Sequence, residues 1–188
     1  METVGSLVDY GNYGRVYRLA SDRTKVVKIP HSLARMDPLP GSTRAPLSWY
    51  RLNMHPSASI GLEHEGVIAE ALRTRSFPAP RPYHVQPILS PEGVSTIGLV
   101  SEYIHGTELN RLSLDSVAQQ RPRIDALLTR VQQEGFTFGK DTVRNVLYNR
   151  TGDTLTLCDF GFWHFNTPVR ASDFTLLDFS QWKIPGFF

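Results

Sequence analysis

Hydrophobic and polar positions change their rhythm along the chain, and each rhythm predicts a different element. Near the N-terminus Leu7-Val8, Val16-Tyr17-Arg18-Leu19 and Val26-Val27-Lys28-Ile29 carry short apolar or alternating runs. They are separated by a glycine turn at Gly11 to Gly14 and a polar turn at Ser21-Asp22-Arg23, so three antiparallel strands are expected. From Met36 to Pro56 the pattern dissolves: Pro38, Pro40, Gly41, Pro46 and Pro56 interrupt Trp49 and Tyr50. No single regular element accommodates that punctuation, so an insertion over about 36–58 is expected.

Helical spacing comes next. Leu62, Ile68, Ala71 and Leu72 recur at the spacing of one helix face, which predicts a helix from about Ile60 to Arg75 with Ser59 as its cap. Pro78, Pro80 and Pro82 then end it. Val85 to Leu89 and Val94 to Tyr103, around Ser90-Pro91-Glu92-Gly93, predict two further strands. Leu109 to Glu134 predicts a mostly helical stretch with a break near Pro122, and Gly135 stands where a helix C-terminal glycine belongs. Val146 to Tyr148 and Leu155 to Leu157 predict a hairpin about Thr151-Gly152-Asp153, and Ser172 to Trp182 a last short helix.

Composition narrows the function classes. With 188 residues, 40% of them hydrophobic, the chain can bury one sizeable core or two small lobes sharing an interface. A formal net charge of +2, spread without a basic run, argues against a general role on nucleic acid or a membrane surface. One cysteine, Cys158, excludes an internal disulfide framework and a cysteine-based zinc site. No window of about 18 apolar residues predicts a membrane span, and Met1 to Tyr10 lacks the pattern of a Sec signal peptide.

The chemistry-bearing residues appear in a definite order. Gly11-Asn12-Tyr13-Gly14-Arg15-Val16 is a strand–turn–strand in which glycine lets backbone amides approach phosphates. Lys28 follows in an apolar strand, where an ammonium can hold phosphate as a point charge. A carboxylate nearby stabilises an ammonium, and on the next helix Glu63, Glu65 and Glu70 are the candidates. Glu65 shares a face with Ile68, Ala69 and Leu72, so it is the first choice, with Glu63 as the second. Further on stand Gly139-Lys140-Asp141-Thr142-Val143-Arg144-Asn145 and, after the hairpin, Leu157-Cys158-Asp159-Phe160-Gly161. Two aspartates flanking a hairpin can approach the roughly four negative charges of ATP only when divalent metal neutralises both partners.

In this order the motifs resemble a protein kinase from about Tyr10 to Trp182. The resemblance implies an α+β, bilobal fold: an N-lobe over 1–104 with five antiparallel strands and one helix, and a truncated, mainly helical C-lobe over 105–188. It implies ATP and Mg2+ as cofactors. Gly11, Asn12, Tyr13, Gly14 and Val16 would cover the nucleotide, and Lys28, held by Glu65, would orient its phosphates. Leu99 to Gly106 resembles the hinge, with the backbones of Glu102 and Ile104 on the adenine edge and Ser101 at the back of the pocket. Asp141 would orient the acceptor hydroxyl, while Asn145 and Asp159 would bind metal.

Departures from the family pattern shape the rest of the expectation. Asp9 stands where the family usually has its first glycine. Gly139-Lys140 replaces the usual His-Arg, which removes the arginine that reads activation-loop phosphate. Asn145 follows Asp141 by four positions, where five are usual. Only 27 residues follow Gly161, and Asp173 is the candidate for the aspartate that braces the catalytic loop. This truncation is similar to the miniature effector kinases, such as the Hop-BF type, that bacteria inject into host cells by type III secretion. The implied function is a monomeric Ser/Thr protein kinase delivered to a host cytosol, with a host protein such as the ninety-kilodalton heat-shock chaperone as partner; without secretion the protein would be cytoplasmic. The rivals are a small-molecule phosphotransferase of the aminoglycoside-kinase type and a nucleotide-binding pseudokinase.

Overall fold

A computed structural model describes residues 2–10, 14–30, 58–138, 145–161 and 163–165. The insertion up to residue 57, the turn residues Gly11 to Tyr13, the loop with Asp141, and the segment with Asp173 and the expected last helix lie outside the described residues.

Five strands build the first half: β1 (Glu2–Tyr10), β2 (Gly14–Leu19), β3 (Lys25–Pro30), β4 (Pro82–Leu89) and β5 (Ser95–Glu102). They hydrogen-bond in the order β1-β2-β3-β5-β4, antiparallel throughout that series. A short parallel contact of Glu2 and Thr3 with Ile88 and Leu89 joins the two edges and closes a barrel. Closure abolishes the exposed edges that an open sheet presents. The barrel interior is filled by Tyr17, Leu19, Val27, Ile29, Ile88 and Val100, the inward half of the alternation read from the sequence.

Helix α1 (Ala58–Thr74) begins before the expected cap, so Ser59 lies inside the first turn. Its face Leu62, Ile68, Ala69, Ala71 and Leu72 is buried. Ile68, Ala69, Ala71 and Leu72 join one core with Phe77, Leu109, the second helix and Phe160. That helix, α2 (Leu114–Gln133), runs unbroken through Pro122. The proline forfeits one backbone bond and its ring crowds the preceding turn, together costing about 3 kcal/mol in a helix interior. Gln120 before it, and Ile124, Leu128 and Val131 after it, all lie buried, so one continuous packed face outweighs the missing bond. Ser113 caps α2 by accepting from the Ser116 N–H at 3.3 Å. Gly135, at φ +91, occupies the left-handed position that ends it.

The remaining strands are short. β6 (Thr107–Glu108) pairs with β8 (Val146–Asn149), which forms the expected hairpin with β9 (Thr154–Leu157). β7 (Phe136–Thr137) pairs with β10 (His164–Phe165). Gly106 also serves spacing: a Cβ there would stand 3.0 Å from Leu147 Cβ. Glycine lets the crossing strand lie directly on β8.

Candidate active site

A cavity of about 340 Å³ opens between the barrel and the β8–β9 hairpin. Val8, Gly14, Val16 and Val26 line it from the barrel side, Leu147 from the hairpin side, and Ser101 to Ile104 form one wall. An apolar slot with a few polar groups along one edge suits a planar base. Along that edge the N–H groups of Glu102 and Tyr103 donate to the carbonyls of Arg81 and Thr24, both at 2.8 Å. Gly14 must be glycine here, because a Cβ would stand 2.7 Å from the Ile29 carbonyl oxygen.

Lys28 occupies the cavity floor because β3 places it opposite Val16 of β2 and Leu99 of β5. Its ammonium donates to both oxygens of Glu65, at 2.9 and 2.7 Å, and to Oδ1 of Asp159 at 2.6 Å. Of the three glutamates on α1, the one brought to Lys28 is Glu65, 37 positions along the chain. Glu70 is also buried but lies 3.9 Å from Arg73, and Glu63 is half-buried with its carboxyl pushed up by that burial. Burial opposes the charge on Lys28, yet the two carboxylates outweigh it and hold the ammonium above its ordinary value. Burial likewise pushes the Glu65 carboxyl up, against the pull of Lys28 and of the Phe160 N–H that donates to it.

Asp159 stands two residues past the end of β9 and has φ +57, a left-handed conformation uncommon outside glycine. Its side chain is 40% exposed, so the carboxylate is held by Lys28 while still facing the cavity. Asn145, at the start of β8, donates from its side-chain amide to the Asp159 carbonyl at 3.4 Å. Its own carbonyl accepts from the Cys158 N–H at 2.8 Å and from the Cys158 thiol at 3.1 Å. The hairpin thus folds Asn145 back beside Asp159 although fourteen positions separate them.

An oxygen-donating carboxylate and amide side by side fit magnesium, which typically takes one or two carboxylates and completes its shell with phosphates and water. Among the described residues there is no cluster of three or more His, Cys, Asp and Glu that could hold a metal on its own.

No protein-family model matches the sequence, and no curated protein matches it. Solved structures do match. One is the Rio2 kinase–ADP/Mg2+–phosphoaspartate complex from Chaetomium thermophilum, 20% identical, with a TM-score of 0.56 over 88% of this chain. The fold is kinase-like. The chain spans half the length of that structure. Its barrel, α1 and the hairpin after the hinge form the bilobal α+β arrangement expected from the motifs.

The structure brings Lys28, Glu65, Asn145 and Asp159 together and sets Gly14, Val16, Ser101, Glu102 and Ile104 around one cavity. Gly11, Asn12, Tyr13 and Asp141 lie outside the described residues. Sequence reading overlooked two groups. Arg111 bridges Asp9 of β1, at 2.8 Å, and Glu108, at 3.2 Å, beside the cavity. His64 contacts the chain just beyond Asp159. Arg111 and Glu108 carried no signal beyond their charge; the aromatic density of Phe160 to Trp163 was the available hint for the second.

Proposed function

We propose that the protein is an ATP- and magnesium-dependent phosphotransferase that moves the γ-phosphoryl group to a hydroxyl of a protein. One observation carries this reading: a half-buried lysine on the cavity floor grips a helix carboxylate and the Asp159 carboxylate at once. Lys28 would orient the phosphates, and Glu65 keeps its ammonium in place. With the Glu102 amide already engaged, a base at the hinge meets Glu102 through its carbonyl and Ile104 through its backbone. Asp159 and Asn145 are the residues that would hold magnesium, which supplies charge neutralisation to the transferred group. Asp141, four positions before Asn145, is assigned to orient the acceptor hydroxyl by its place in the sequence. The fold neighbour is a kinase bound to ADP and Mg2+, which supports nucleotide and metal at this site.

The finer proposal is a Ser/Thr protein kinase acting as a bacterial effector in a host cytosol, on a protein such as the ninety-kilodalton heat-shock chaperone. Its support is the Gly139-Lys140-Asp141 loop. The test is incubation of wild type and Asp159→Ala with magnesium and γ-labelled ATP in a eukaryotic cell lysate. Label on a discrete protein with the wild type alone is expected, and identifies the acceptor. Magnesium-dependent nucleotide binding without label on any protein would overturn the protein-kinase proposal.

A further inference from the structure

Asp159 is followed by a tight turn that α1 holds at both ends. The Trp163 N–H donates to the Phe160 carbonyl at 3.0 Å and closes the turn. At its start the Phe160 N–H donates to Glu65. At its end the Trp163 carbonyl lies 2.7 Å from Nε2 of His64. A carbonyl oxygen only accepts, so Nε2 carries the proton and donates. Two consecutive residues of one helix therefore grip the turn, Glu65 at its beginning and His64 at its end.

Aromatic packing backs this grip. Phe160 and Trp163 are each 1% exposed and meet edge-on with ring centres 5.1 Å apart. Phe138 packs on Trp163 at 4.6 Å and directly precedes the loop that carries Asp141. Asp159 itself sits in a sparsely populated backbone conformation, which persists only where surrounding contacts over-determine it. The Lys28 bond acts on its side chain, whereas its backbone is held by the Asn145 amide at its own carbonyl and by the turn from Phe160 to Trp163.

We propose that His64 is a positioning residue: by donating to the Trp163 carbonyl it locks the turn after Asp159 onto α1, so that the Glu65 helix and the metal-binding aspartate move as one body. The inference rests on the phosphotransferase reading for its kinetic consequence. A brace built from the chain's own helix needs no phosphate group to order this segment, which fits a sequence lacking the phosphate-reading arginine. The role is indirect, since His64 acts on Asp159 through Trp163.

The test compares His64→Gln, whose amide nitrogen reaches about as far as Nε2, with His64→Leu, which keeps volume but has no donor. His64→Asn is polar but too short to reach. Residues that orient a metal ligand typically contribute about 10–100-fold. The Leu and Asn variants should lose that much kcat and need more magnesium for half-maximal rate. Their affinity for magnesium-free ATP should stay within about two-fold, because the hinge and Lys28 are untouched, and His64→Gln should keep most of the rate. If His64→Leu does not fold, His64→Asn against His64→Gln reads the same bond. Wild-type kcat in His64→Asn, or equal losses in Gln and Asn, overturns the proposal. Amide exchange at Trp163, measured on the nucleotide-free proteins, separates the two claims. It should quicken about ten-fold or more in His64→Asn. Unchanged exchange overturns the brace, whereas quickened exchange in a protein whose wild type transfers nothing overturns the phosphotransferase reading alone.

Discussion

Replacing Lys28 by methionine tests the buried centre of the site most directly. Methionine keeps the length of the side chain and removes its charge, so Glu65 loses the ammonium and retains only the Phe160 N–H. The two side chains are 17% and 10% exposed, so solvent replaces little of what is lost. An uncompensated carboxylate at such a site costs about 3–5 kcal/mol. Glu65 can instead take up a proton, at a cost set by the distance of the pH from an ordinary glutamate pKa of about 4.3. At 1.36 kcal/mol per unit this is about 3.7 kcal/mol at pH 7 and about 1 kcal/mol at pH 5. The cheaper route governs, so the expected penalty is about 3–4 kcal/mol at pH 7 and about 1 kcal/mol at pH 5.

The sign comes from linkage. In the variant the folded-state carboxyl is raised above its unfolded value, so protons favour the folded form and the penalty shrinks as pH falls through the folded pKa. In the wild type, Lys28 is raised above 10.5, and the stability it contributes is fully present below that value. It is therefore constant between pH 5 and 7, and the difference between the two pH values belongs to Glu65. Urea unfolding of both proteins at both pH values, with a shared slope, measures the penalty. A cost below about 1 kcal/mol at pH 7, or the same cost at both pH values, would refute the account of Glu65 as buried and dependent on Lys28.

Neighbouring residues give two further outcomes. Burial and the adjacent Asp159 charge push the Cys158 thiol up, and its S–H is engaged by Asn145, so thiolate is scarce in the folded protein. Iodoacetamide at pH 8 should label the single cysteine at least about ten-fold more slowly in the folded than in the urea-unfolded chain, read by mass; equal rates would show an open thiol. Gly98→Ala drives a Cβ into Val27 Cγ2 and to 3.2 Å from Ile88 Cγ1 inside the barrel. It should cost about 1–3 kcal/mol by the same urea assay, and a cost within about 0.3 kcal/mol would mean that the barrel interior has slack.

Much of the small lobe was legible because its signals are local. Alternation in β2 and β3, the Ser90 to Gly93 turn, and the face of α1 depend on neighbours within a few residues, and they reappear within one or two positions of their expected bounds. The α2 stretch shows where local reading fails. Pro122 signals a break on its own backbone, but whether the helix breaks depends on the core that Ile124, Leu128 and Val131 meet. Gly106 makes a related point: its spacing role comes from Leu147, 41 positions away.

Residue order was enough to set the types of the longer elements, though not the two-residue strands β6, β7 and β10, together with the succession of the chemistry-bearing residues and the kinase-like resemblance that Lys28, the hinge and Asp159 carry. Packing in three dimensions settled which carboxylate meets Lys28, since burying one is favourable only where the ammonium arrives from another strand. It also closed the barrel through Glu2 and Thr3 on β4, folded Asn145 beside Asp159, and brought His64 to Trp163 across 99 positions. Each of these is a contact between residues far apart in the chain. Local propensity carries no information about such a contact; only the packing of the whole core selects it.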